Sequence, residues 1–188
     1  TIEMAHPRIP RCLPNPVTDE DLAIAMDRSD EPWYTAILLA AAAGLRPDEI
    51  ARQQREDITK ATIVIRRGKG GDPGAVDTHP QIWVHVQPRR PGPLVTNRHG
   101  EPVTGRWLSA HARHHFDSID MPHIHLHRFR HWHATALLEA GANMRTVQEA
   151  MRHRSITSTQ GYTMIKNEQR RHAIATLPIP TSAQQSNR

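Results

Sequence analysis

The spacing of apolar residues along the chain predicts a mostly helical protein with one short β-hairpin. Apolar positions recur with helical periodicity up to residue 53 and again from Thr104 onward. Between these regions, residues 58–76 hold a β-branched run, a glycine-rich turn and a short second run, the pattern of a β-hairpin or small antiparallel sheet. We therefore expect an α+β fold dominated by helices.

Three helices are expected before the hairpin. The first follows Thr18, which can cap it, and carries acidic residues in its first turn, where the helix dipole favours them. The second, EPWYTAILLAAAAG, is apolar on nearly all sides, so it should be buried and should end at Gly44. The third has Pro47 in its first turn, a position that suits proline.

The chain beyond the hairpin is predicted to be helical after one loop. The segment HPQIWVHVQ fits a helix or a strand, and residues 88–102 have the composition of a loop. Further helices are expected over 104–118, 127–140, 143–152, 155–161 and 164–175. Residues 178–188 offer nothing to bury, so we expect one domain over 1–177 and a flexible C-terminal tail.

The composition is that of a cytoplasmic protein. The 188 residues are enough for one ordinary core, and no apolar run approaches the ~20 residues that span a membrane. Cys12 is the only cysteine, which excludes an internal disulfide and a cysteine-based zinc site. The polar, proline-rich start of the chain lacks the features of a signal peptide.

Positive charge is concentrated in the later part of the chain. Residues 1–59 hold 6 Lys+Arg against 11 Asp+Glu, whereas residues 60–188 hold 18 against 8, within a net charge of +5. A basic remainder of this kind is typical of a protein that binds a polyanion, although a solvated surface has the same composition.

The helix predicted for HRFRHWHATALLEAG begins with several cationic groups, at the end where the helix dipole is also positive. His127, Arg130 and His131 fall within a wedge of about 100° on this helix. Four residues are expected to point away from that wedge into the core: Phe129, Trp132, Ala136 and Ala140. A bound phosphate would balance the charge, because a guanidinium matches two phosphate oxygens and a histidine can exchange a proton there.

Three further features carry reactive side chains. Arg46 lies between two predicted helices, and Glu49 can either orient it or form an ordinary surface ion pair with it. Lys69 lies at the tip of the hairpin, although glycine and lysine are common in any turn. His153 and Tyr162 are nine residues apart on two short predicted helices, where a half-buried core tyrosine is the simpler interpretation of Tyr162.

Together and in this order, these motifs resemble the catalytic domain of the tyrosine recombinase (phage integrase) family. GLRPDEI resembles the family's first-arginine motif and GKGG its hairpin-lysine motif. HRFRHWHATALLEAGANMRTVQEAMRHRSITSTQGYTMI resembles the His-x-x-Arg box and the segment that leads to the nucleophile. The resemblance extends from about Cys12 to about Leu177. It implies a set of catalytic residues, Arg46, Lys69, His127, Arg130, His153 and Tyr162, and two supporting residues, Glu49 and His131.

The chain departs from the family pattern at three points. Arg152 stands where the family usually has a glycine before the second active-site histidine, so it can shift the turn or add a DNA contact. AVDTHPQIW replaces the usual basic residue and short strand after the hairpin. The separate N-terminal core-binding domain of the family is absent from this chain, which we therefore expect to be a fragment.

The resemblance implies site-specific DNA recombination that needs no metal or other cofactor. Tyr162 attacks a backbone phosphate, forms a 3′-phosphotyrosyl link and releases a 5′-hydroxyl. Arg46 and Arg130 hold the non-bridging oxygens of that phosphate. His127 accepts a proton or donates a hydrogen bond near the nucleophile, and Lys69 protonates the leaving oxygen.

The resemblance also implies the partners. His153 donates to the phosphate of double-stranded DNA, and a homotetramer holds two duplexes during strand exchange. Accessory DNA-bending or directionality proteins are further expected partners, with no membrane, in the cytoplasm and nucleoid of a bacterial host. Phosphate contacts are expected from Arg66, Arg67, Arg106, Arg145, Arg152 and Arg154.

Three other functions remain open from the sequence. A type IB topoisomerase would use much the same residues to relax supercoils without strand exchange, and a non-catalytic DNA-binding module would keep only the fold. The histidines of HIHLHRFRHWH have spacings found in zinc sites. However, no carboxylate lies nearby at ligand spacing, and Arg128 and Arg130 would repel a cation.

Overall fold

The computed structural model describes residues 15–66, 73–152 and 174–179, and within them it confirms a mostly helical fold with a two-stranded antiparallel sheet. In chain order the elements are α1 (Asp19–Asp27), α2 (Trp33–Ala43), α3 (Pro47–Arg52), β1 (Thr62–Ile65), β2 (Gly74–Asp77), α4 (Pro80–Val86), α5 (Gly105–Ser118), α6 (Leu126–Glu139) and α7 (Met144–Ala150). No helix in the described ranges has the length and apolar character needed to cross a bilayer.

Helix α2 lies at the centre of the core. Every residue from Thr35 to Ala43 is buried, because the helix is apolar on all sides and packs against α1, α3, α4 and α6. It ends as predicted at Gly44, whose φ of +62° allows the left-handed turn that stops a helix. The chain turns at once into α3, so the end of α2 brings Arg46 to the edge of the core.

Local signals in the sequence account for the starts of the early helices. The Thr18 hydroxyl accepts from the backbone N–H of Asp21 at 3.0 Å, which caps α1 as predicted. Pro47 is the first residue of α3, where its missing N–H leaves no hydrogen bond unmade. Both boundaries are confirmed.

The predicted hairpin is also confirmed in its two strands. β1 and β2 pair antiparallel from Thr62 opposite Asp77 to Ile65 opposite Gly74, and the connecting residues 67–72 lie outside the described ranges. The segment that fitted either a helix or a strand is helix α4. Pro80 occupies its first position, and the His79 ring accepts from the Gln81 N–H at 3.2 Å.

The later helices begin and end within two residues of their predicted bounds as far as α7. The helix predicted over 155–161 lies outside the described residues, as does the one over 164–175 except for its last two positions, which are helical. One expectation about the C-terminus is wrong. Ile179 is only 5% exposed and joins the hydrophobic core with Ile174 and Leu177, so the chain after Leu177 does have an apolar side chain to bury.

Candidate active site

Glu49 is a buried carboxylate that orders the start of α3. Its Oε2 accepts from the Arg46 backbone N–H at 2.8 Å, and its Oε1 accepts from the Arg46 guanidinium at 3.1 Å. Oε2 also accepts from Nη2 of Arg152 at 2.5 Å. The interpretation of this pair as an ordinary surface ion pair is wrong, because Glu49 is only 2% exposed.

Arg130 lies inside the protein and not on the open face that the helical wedge predicted. It is 2% exposed, and its guanidinium donates to the carbonyl of Gly44 and, at 2.6 Å, to the carbonyl of Met151. Its pKa is lowered to about 9, mainly by burial and then by the neighbouring Arg46, while Glu49 opposes the shift. The long side chain reaches two carbonyls that come from distant parts of the chain, and these hold it inward.

The remaining predictions for α6 are mostly confirmed. Phe129, Trp132 and Ala136 are buried in the core as expected. Ala140 is exposed, which contradicts its predicted place in the core, because α6 has already ended at Glu139.

Arg46 and Arg130 converge on one turn. Nη2 of Arg46 approaches the carbonyl of Arg152 at 3.5 Å, and Nη2 of Arg130 donates to the preceding carbonyl, that of Met151. Three guanidinium groups therefore surround the single carboxylate of Glu49. The cluster carries an excess of positive charge in a partly desolvated place, which an anion would relieve.

His127 lies at the exposed edge of this cluster. Its ring meets that of His131 edge to face, with 4.6 Å between the centroids and 83° between the planes. The surrounding protein lowers the pKa of His127 to about 4 by desolvation, and the nearby His131 and Arg130 act in the same direction. The imidazole is therefore neutral at pH 7 and has a nitrogen lone pair that can accept a proton.

A cleft of about 310 Å³ opens beside these residues and is lined by Arg46, Pro47, Asp48, Gly105, Arg106, Ser109 and His127. Gly105 lets α5 approach α3, because a Cβ at this position would lie 2.6 Å from the Cα of Asp48. This close packing brings the start of α5 to the same opening as Arg46 and His127.

Arg106 differs from the other predicted phosphate contacts that the structure describes. It is exposed at the cleft and has no hydrogen-bond or ion-pair partner among the described residues. Arg66 instead donates twice to Oδ1 of Asp57, at 2.9 and 2.8 Å. Arg145 pairs with Glu149 on the exposed side of α7, and Arg152 is turned inward.

Several predicted site residues cannot be placed. Five of them lie outside the described residues: Arg67, Lys69, His153, Arg154 and Tyr162. The structure brings together Arg46, Glu49, Arg130, His127 and His131. Within the described ranges, no group of three or more His, Cys, Asp or Glu side chains is arranged to hold a metal ion.

His133 supports the site and was not singled out in the sequence. It is fully buried, and the contact of its Nδ1 with the Ala41 carbonyl at 2.8 Å assigns the proton to that nitrogen. Burial lowers its pKa to about 4. Its ring packs against Gly44, which also accepts from Arg130. It is one of several histidines in the segment HIHLHRFRHWH, and nothing in that pattern distinguishes it as the one that packs against Gly44.

The chain is similar to a known protein family over most of its length. The model of the phage integrase family matches residues 18–169. A tyrosine recombinase XerC of Chlamydia pneumoniae is 28% identical over 178 residues, which cover 85% of this chain and 57% of that protein. The chain spans 57% of the length of this XerC and 64% of the length of a tyrosine recombinase XerA of Pyrococcus horikoshii.

Solved structures show the same fold. The integrase from mycobacterium phage Brujita has a TM-score of 0.75 and 31% identity, over 95% of this chain and 63% of the other. A lambda integrase tetramer bound to a Holliday junction has a TM-score of 0.59 over 79% of this chain and 49% of the other. At 19% identity, the second match supports the fold alone.

Proposed function

The chain belongs to the phage integrase family, and we propose that it is the catalytic domain of a site-specific DNA recombinase. In this proposal the catalytic domain extends at least to Ile179, two residues beyond the predicted bound at Leu177, and a core-binding domain precedes it in the longer protein. The lengths agree with this proposal, because the chain spans only 57–64% of the length of two curated relatives.

The convergence of Arg46 and Arg130 on one turn is the observation that carries the proposal. Arg46 contacts the carbonyl of Arg152, and Arg130 contacts the carbonyl before it. The positive charge of these two groups and of the Arg152 guanidinium exceeds the single negative charge of Glu49.

A phosphodiester supplies one more negative charge and two non-bridging oxygens. One oxygen can accept from Arg46. The other can accept from Arg130 once it releases the carbonyl of Gly44 or that of Met151, which now hold its two Nη groups. Both arginines would also stabilise the charge that develops in the transition state.

The proposed reaction is a transesterification. The hydroxyl oxygen of Tyr162 attacks the scissile phosphorus, and its proton passes to His127, whose neutral ring can accept it. The bond from phosphorus to the 5′ oxygen breaks, and Lys69 gives that oxygen a proton. The phosphate stays joined to the 3′ end of the DNA and to Tyr162, while His153 donates to one of its oxygens. A 5′-hydroxyl from a second duplex then reverses these steps.

A bound phosphate would make His127 a better proton acceptor than it is in the free protein. In the free protein desolvation, and then the positive groups around it, disfavour a second ring proton. A bound phosphate, and still more the charge that develops during attack, would raise its pKa again. The edge-to-face contact with His131 would hold the ring in place during the transfer.

We propose double-stranded DNA as the partner and a tetramer as the active assembly. The lambda integrase structure that shares this fold is a tetramer on a Holliday junction. Accessory DNA-bending or directionality proteins and a place of action at the nucleoid are part of the same proposal. The exposed Arg106 beside the cleft is the favoured phosphate contact among the described arginines.

A strand-exchange assay tests the function. A duplex recovered by covalent capture from a random library is incubated with the chain and a labelled second duplex of the same sequence. The proposal predicts labelled recombinant strands. Relaxation of supercoiled plasmid without recombinant strands would instead support a type IB topoisomerase, and binding with neither product would support a non-catalytic module.

A further inference from the structure

Arg152 has a backbone conformation that non-glycine residues rarely adopt. It follows the last turn of α7 with a φ of +50°, in the left-handed region. Its N–H donates to the carbonyl of Glu149 at 3.0 Å, which closes the end of the helix. A residue kept in such a conformation in place of glycine is a candidate for a specific role.

The side chain of Arg152 is directed into the protein. Its Nη2 donates to Oε2 of Glu49 at 2.5 Å, and the side chain is 17% exposed. Its Nε has no hydrogen-bond partner among the described residues, so the ion pair with Glu49 is what holds the guanidinium. The side chain also passes over the start of β2, where a Cβ at Gly74 would lie 3.4 Å from its Cδ.

Arg152 therefore links three parts of the site. Its side chain shares the carboxylate of Glu49 with Arg46. Its carbonyl and that of Met151 face Arg46 and Arg130. Its aliphatic portion lies against the base of the hairpin that carries Lys69.

We propose that Arg152 is a positioning residue, which fixes the turn that orders Arg46 and Arg130 and does not contact DNA. This inference rests on the proposed function. The Arg152 side chain is turned towards Glu49. Unlike Arg46 and His127, it does not line the cleft, so we do not expect a DNA phosphate to be its partner. Loss of the side chain releases one oxygen of Glu49 and frees the turn, which lets both arginines leave the geometry that binds the two phosphate oxygens.

The test compares Arg152→Gly and Arg152→Lys with the unaltered chain. The rate of covalent adduct formation is measured at saturating concentration of a captured duplex, and DNA affinity is measured as a function of salt. Asp120→Gly is the matched control, because Asp120 also has a positive φ, +63°, and lies in the turn after α5, outside the cluster. Thermal unfolding verifies that each variant is folded, and Arg152→Asn replaces any variant that is not, since asparagine tolerates this conformation.

We expect Arg152→Gly to lower the adduct rate about tenfold or more without changing DNA affinity or its salt dependence. Arg152→Lys should recover part of the rate, and Asp120→Gly should match the unaltered chain. The double variant combines Arg152→Gly with Glu49→Gln. Its fold reduction in adduct rate should be smaller than the product of the two single fold reductions, because both substitutions remove the same contact.

Two results would overturn the inference and leave the proposed function intact. One is an unchanged adduct rate in Arg152→Gly. The other is a weaker affinity of Arg152→Gly for DNA with a salt slope reduced by about one, which is the behaviour of a direct phosphate contact. If the unaltered chain forms no adduct on DNA that it binds, the proposed function fails, and this inference fails with it.

Discussion

The imidazole of His133 lies so close to Gly44 that a Cβ on Gly44 would come within 2.7 Å of its Cδ2. Gly44 also has a φ of +62°, which only glycine adopts freely. We expect Gly44→Ala to lower the free energy of unfolding by about 3 kcal/mol, the combined cost of the left-handed residue and the overpacked core. Urea denaturation measures this loss.

Gly100→Ala is the control that isolates the cost of placing alanine in a left-handed backbone conformation. Gly100 has a φ of +78°, but nothing lies within 4 Å of the position of its Cβ. Its substitution should lower the free energy of unfolding by about 1 kcal/mol. Equal losses at the two positions would contradict the steric role of His133.

His133 should make the folded protein sensitive to acid. Its pKa in the folded state is about 4, below its ordinary value of 6.5. Between these two pH values the histidine is protonated in the unfolded chain and neutral in the folded chain. Stability therefore falls as the pH drops from about 6.5 towards 4. For this residue the loss between pH 7 and pH 5 is about 2 kcal/mol.

The variant His133→Asn isolates this contribution, because it removes one titrating group and leaves the other histidines in place. Urea midpoints at the two pH values should differ less in the variant than in the unaltered chain. Equal losses of stability on acidification in the two proteins would exclude His133 as a source of the acid sensitivity.

The buried carboxylate of Glu49 should matter far more than an exposed one. Glu49→Gln leaves the guanidinium groups of Arg46 and Arg152 without their negative partner, at an expected cost of about 3 kcal/mol in unfolding free energy. Glu149→Gln removes a carboxylate that is 47% exposed and also pairs with an arginine, and it should cost less than about 1 kcal/mol. Similar losses in the two variants would show that burial does not govern the Glu49 pair.

Arg106 and Arg66 should differ in how they affect DNA binding. Arg106 lines the cleft without a partner among the described residues, so Arg106→Ala should weaken DNA binding. The slope of log affinity against log salt concentration should become shallower by about one. Arg66 is held by two hydrogen bonds to Asp57, so Arg66→Ala should have the smaller effect. Salt titrations of the affinity for one duplex measure both variants, and a larger change for Arg66 would reverse the assignment.

The sequence predicted those parts of the fold whose signals are local. The Thr18 cap, the left-handed Gly44 and Pro47 at the start of α3 each fix a helix boundary within a few residues. The segment now known as α4 was ambiguous because a short apolar run fits either structure. Pro80 and the capping ring of His79 decide it in favour of a helix.

The parts that the sequence did not predict depend on tertiary contacts. Helical periodicity places Arg130 beside His127, yet its side chain is drawn inward by the carbonyls of Gly44 and Met151, which come from distant segments. The pairing of Arg152 with Glu49 is likewise non-local. A single isoleucine in a proline-containing tail has no periodicity, so the burial of Ile179 was missed.

Covalent capture tests directly whether Tyr162 is the nucleophile. The chain and its Tyr162→Phe variant are incubated in EDTA with a library of nicked duplexes of random core sequence, and denaturing washes retain only DNA joined covalently to protein. We expect retained DNA with the unaltered chain and none with Tyr162→Phe. Equal retention by the variant, or no retention by the unaltered chain from DNA that it binds, would contradict this expectation.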